Sequence, residues 1–126
     1  MTKSSKKSYI RLGEVSDIVS RHTCLKSAPI VIDNEHLRHI ARKHKEELKQ
    51  LGIGPLDYVQ LIVDKYNEIR KGDEDSILLV IAREKGINDL AVVDLEYVKT
   101  NKSDYWVVKS AYPIRTSELR KKKLLW

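Results

Sequence analysis

The chain has 126 residues, 41% of them hydrophobic, and a net charge of +6. That is enough for one domain with a real core and too little for two. A lone cysteine, Cys24, excludes an internal disulfide framework, and no apolar run approaches the roughly 20 residues of a membrane span.

The N-terminus, Met1 to Lys7, leads into no apolar stretch of the kind a signal peptide needs. A cytoplasmic protein without a membrane partner is the expectation. The charge is uneven. Lys3, Lys6, Lys7 and Arg11 face no acid at one end, and Arg115 with Arg120, Lys121, Lys122 and Lys123 outnumber Glu118 at the other. The middle is slightly acidic. Basic ends are the footprint of a protein drawn to a polyanion such as RNA or DNA.

Taken in order, residues 1–8 read as a disordered basic tail and residues 9–126 as a single domain. Tyr9 to Val15 fits a short strand. Ser16 can cap a short helix over residues 17–21, and His22, Thr23 and Cys24 read as loop. Ala28 to Ile32 is a short apolar run. Asp33 then caps a helix of about five turns that ends at Leu51, with Gly52 as its left-handed C-cap. On that helix Leu37, Ile40, Ala41, His44, Leu48 and Leu51 fall on one stripe. His36 lies at its edge and His39 points away. Arg38, Arg42, Lys43, Lys45 and Lys49 occupy the rest. Three of the chain's four histidines sit here. Surrounding cations favour neutral imidazole, the form a general base needs.

Gly52 to Pro55 breaks the chain, and Pro55 starts a second helix whose spacing holds to about Lys71. Gly72 to Asp75 turns it. The period then shifts to 2. Ile77–Ala82, Leu90–Val98 and Tyr105–Tyr112 read as strands joined by turns at 83–88 and 100–104. Residues 116–126 form a last helix or lie across the sheet. The expected class is α+β, with N-terminal helices packed on a C-terminal antiparallel β-meander.

Leu12-Gly13-Glu14-Val15-Ser16, Ile30-Val31-Ile32-Asp33, Leu37-Arg38-His39-Ile40-Ala41-Arg42-Lys43-His44 and Val107-Val108-Lys109-Ser110-Ala111-Tyr112-Pro113 resemble the phage-associated barnase–EndoU–colicin–RelE-like nucleases. The likeness spans roughly residues 10–125, and its most specific element is the His-Ile-x-x-Lys-His segment at residues 39–44. It implies a small metal-independent ribonuclease of toxin or phage context, needing no cofactor. It also implies RNA as substrate and an inhibitor protein as partner. The positions that match are His39, His44, Lys109 and Ser110.

In that reading His39 and His44 serve as acid and base in unassigned order. Lys109 holds the phosphate, with Ser110 or Tyr97 as hydroxyl donor, and His36, Arg42, Lys43, Lys99 and Arg115 contact the substrate. Two geometric tensions follow. His39 and His44 stand about 140° apart on a regular helix, so His36 is the substitute for one of them. Lys109 and Ser110 take opposite faces of a regular strand. Two further readings use the same residues. One is a nucleic-acid-binding module without chemistry. The other is a metal hydrolase through His36, His39, His44 and Cys24, but the helical pairs lack the i,i+4 spacing of zinc helices.

Overall fold

Asp33 ends one strand and begins one helix, and the rest of the architecture is arranged about that joint. The computed structural model describes residues 8–83, 86–99 and 102–126. Chain order is β1 (Tyr9–Val15), α1 (Asp17–Thr23), β2 (Ala28–Asp33), α2 (Asn34–Lys43), α3 (Lys45–Leu51), α4 (Pro55–Lys65), β3 (Glu68–Lys71), β4 (Ile77–Ile81), β5 (Ile87–Val98), β6 (Ser103–Arg115) and α5 (Thr116–Leu119). The class is α+β. The predicted tail at 1–8 falls outside the described residues except for Ser8, and parts of the two predicted turns, at 84–85 and 100–101, do too.

One six-stranded sheet runs in the order β1-β2-β6-β5-β4-β3. Its pairs are antiparallel except for β2 with β6, which is parallel and joined at Ile30–Trp106 and Val31–Val107. The plan of helices first and a three-stranded meander after them is therefore corrected. Two strands from the first third of the chain enter the sheet, and α5 follows it. A short apolar run such as 28–32 gives no periodicity from which its partner can be read.

Beyond Val107, β2 no longer pairs with β6, and α2 packs chiefly against β6 there. Ile40 of α2 is fully buried in the main core, with Val59 and Ile62 of α4 and Ile30, Ile32 and Val108 of the sheet. Burying such a side chain contributes about 1.5–3 kcal/mol. Gly13 lets α4 close down on β1: a Cβ there would stand 2.8 Å from Val63 Cγ1. On the opposite face Leu119 of α5 covers Leu78, Val80 and Leu90.

The predicted five-turn helix is broken. His44 leaves helical geometry at φ −114°, ψ 28°, separating α2 from α3, although its N–H and C=O keep their bonds to Ile40 and Leu48. Gly52 does supply the C-cap, at φ 68°.

The second helix stops at Lys65 rather than Lys71. Tyr66 turns extended, and the Asn67 amide bonds both the N–H and the C=O of Ala82. Ile69, whose spacing suits a helix, is buried in β3 opposite Leu79 instead. His22 and Thr23 belong to α1, and Cys24 follows as its left-handed cap. After α5 the chain returns to β3, where Lys71 N–H donates to Lys123 O and Leu125 N–H to Ile69 O.

Candidate active site

The Asp33 carboxylate, 1% exposed, does two jobs. Its Oδ1 accepts the His36 backbone N–H at 2.8 Å, which caps α2. Both of its oxygens stand 2.9 Å from His36 Nδ1. That contact sets the ring: Nδ1–H donates to the carboxylate and leaves Nε2 to the cleft that the ring lines. A carboxylate behind an imidazole holds the tautomer and accommodates the charge the ring acquires on taking a proton.

The cleft has a volume of about 440 Å³ and is lined by Glu35, His36, Arg38, His39, Arg42 and Lys109. Five of these come from α2. His36 and His39, three residues apart, are neighbours on one face of that helix. His39 is held below the usual imidazole range. Partial desolvation is the main cause, followed by the Lys43 and Arg42 cations and then by His44 and His36. It is therefore a neutral acceptor at neutral pH.

Lys109 arrives from a distant part of the sequence. Val93 pairs with Val108 and Val92 with Ser110, so Lys109 is an extra residue, a β-bulge. Val108 and Ala111 both face the main core, leaving two residues between them instead of one. The regular alternation expected for Lys109 and Ser110 is thereby broken. The Lys109 ammonium is also paired with Glu96 Oε2.

The structure brings together His36, His39, Arg42 and Lys109 of the residues singled out from the sequence. It does not bring His44 to the cleft. That residue is 9% exposed. Its Nδ1 meets Glu47 Oε2 at 3.0 Å, and its ring stacks on Tyr112 with centroids 5.0 Å apart. Its Nε2 is buried and finds no hydrogen-bond partner among the described residues.

Ser110 is half-buried opposite Val92, outside the cleft lining. Lys43 is exposed at the end of α2, outside the cleft lining, and its charge lowers His39. Tyr97, exposed, lines a separate cleft of about 420 Å³ with Lys26, Lys102 and Asp104. Lys99 is exposed just beyond β5, and Arg115 is exposed at the end of β6 opposite Ile87.

In the sequence alone Asp33 is a cap, Arg38 is one surface cation among several, and Glu96 carries no mark. An Asp three residues before a His at a helix start was the available signal for the first. Among the described residues, no three His, Cys, Asp or Glu side chains gather into a metal-holding group, so His36, His39, His44 and Cys24 do not form one. Among them, too, no helix is long and apolar enough to cross a membrane. No family model matches the chain, and neither does any curated protein or solved structure.

Proposed function

We propose that this protein is an endoribonuclease that cleaves RNA by attack of the 2′-hydroxyl on the adjacent phosphate. The observation that carries this reading is the Asp33–His36 pair opening onto a cleft shared with His39 and three cations. Neutral His39 takes the 2′-hydroxyl proton as the oxygen bonds to phosphorus. Arg38, Arg42 and Lys109 offset the charge that builds on the phosphoryl oxygens. His36 Nε2 delivers a proton to the departing 5′-oxygen as its bond to phosphorus breaks. The products are a 2′,3′-cyclic phosphate and a 5′-hydroxyl. The residues that resemble the phage-associated nucleases support the same chemistry, with His36 in the place first given to His44.

Each histidine contributes roughly 10²–10⁴-fold as a general acid or base. The test is cleavage of an RNA oligonucleotide in EDTA by the wild-type chain and by His36→Ala, His39→Ala and His44→Ala. Loss in the first two with retention in the third is expected, and a 2′-deoxy substrate stays intact. Cleavage that survives both His36→Ala and His39→Ala refutes the reading, as does a wild-type chain that leaves RNA whole.

A further inference from the structure

The cations of the cleft are not equivalent. Arg38 and Arg42 form no ion pair among the described residues, whereas Lys109 is held by Glu96. Glu96 does not line the cleft. It reaches Lys109 from β5, where by alternation Val92, Asp94 and Glu96 share a face, the one on which Ser110 lies opposite Val92. Val108 faces the core, so Lys109 falls on that outer face beside Glu96, and the bulge keeps Ser110 there as well.

The Lys109 and Glu96 side chains are 24% and 36% exposed. A pair that water still reaches is weak, so another anion can take the lysine from it. A lone anion exchanges one charge for another and gains little. A strand that engages Arg38 and Arg42 at the same time gains contacts that Glu96 cannot offer.

We propose that Glu96 is a specificity-determining residue. It occupies Lys109 in the free protein and yields it to a polyanionic strand in preference to an isolated anion. This rests on the reading of the cleft as the seat of RNA cleavage. The consequence is a threshold: small phosphates compete weakly, and a chain of phosphodiesters competes well.

The experiment uses the full chain as wild type, Glu96→Gln and the double variant Glu96→Gln with Lys109→Met. The probe is a 2′-O-methyl RNA oligonucleotide, which binds but has no attacking hydroxyl, with inorganic phosphate as competitor. Glu96→Gln is expected to bind the oligonucleotide several-fold tighter and to be displaced by phosphate at lower concentration. The slope of log affinity against log salt stays as in wild type, because Lys109 reaches the strand in both chains. It becomes shallower by about 0.7 in the double variant, which lacks that cation. The double variant loses both gains.

A Glu96 with only a structural role would move the unfolding temperature and leave both the oligonucleotide affinity and the phosphate competition alone. Equal or weaker binding by Glu96→Gln overturns the proposal, and so does a gain that survives in the double variant. Where wild type cleaves native RNA and Glu96→Gln binds no tighter, only the role of Glu96 falls. Where the gain is present but wild type cleaves nothing, the role of Glu96 stands and the ribonuclease reading falls. Binding by neither chain removes both.

Discussion

His36 and His44 begin with the same contact and end in opposite places. Each has Nδ1 on a carboxylate three residues away, Asp33 before the first and Glu47 after the second. In His36 the carboxylate is the buried partner, and the ring fronts a cation-lined cleft. In His44 the ring is the buried partner, pressed on Tyr112, with Nε2 sealed and without a partner among the described residues. The difference teaches that a carboxylate behind an imidazole does not make a catalyst. What counts is what the far nitrogen meets.

The largest effect should come from removing one ring or the other. His36→Ala is expected to lose roughly 10²–10⁴-fold in RNA cleavage, while His44→Ala keeps most of it. Single-turnover rates at saturating protein measure the contrast directly, and equal losses would erase it.

Next comes the residue between the rings. Ile40 is fully buried beneath α2. Ile40→Ala should cost about 2–5 kcal/mol of stability in urea unfolding, because it removes buried apolar contacts and leaves a cavity in the main core.

A smaller effect is expected from His44→Leu. The change deletes an unsatisfied nitrogen, which costs about 1–3 kcal/mol where it is buried. It also deletes a ring contact worth about 0.5–1.5 kcal/mol and the Nδ1 contact with Glu47, worth about 0.5–1.5 kcal/mol. Stability should stay within about 1 kcal/mol of wild type. A much larger loss would mean that Nε2 has a partner.

The smallest effect concerns His39. Its imidazole titrates below the usual 6.5, so the acid limb of the rate profile should fall below that pH. Lys43 is one cause of the depression. Lys43→Gln should therefore move the limb upward, toward 6.5, by a fraction of a unit at low salt. The stability sign agrees: the folded protein favours neutral His39, a contribution present above pH 6.5 and lost as pH falls through the depressed value. A limb that stays still in Lys43→Gln would separate that lysine from the cleft.

Much of this site is written in local chemistry. Asp33 as a cap, Gly52 as a terminator and Pro55 as a starter were readable because each acts on neighbours in sequence. His36, His39 and Arg42 were readable as cleft residues because one helix displays them. The break at His44 was not, since a helical stripe says nothing of Tyr112, which lies sixty-eight residues away. Nor was the end of the second helix, because Ile69 suits either period and only its pairing with Leu79 decides between them. The bulge at Lys109 has no glycine or proline to announce it.

The seam between β2 and β6 has a consequence for folding. β3 to β6 join through short connections, and each antiparallel pair closes a small loop. Ile30 must find Trp106 across about 76 residues, a far costlier closure. There the Trp106 indole N–H also fastens Lys26 O at 2.8 Å. Docking the N-terminal third onto the meander therefore carries the largest loop-closure cost among the strand pairings. The cleft spans that same seam, with five residues from one side and Lys109 from the other. A nascent or half-assembled chain lacks one wall of that cleft, which is complete in the finished molecule alone.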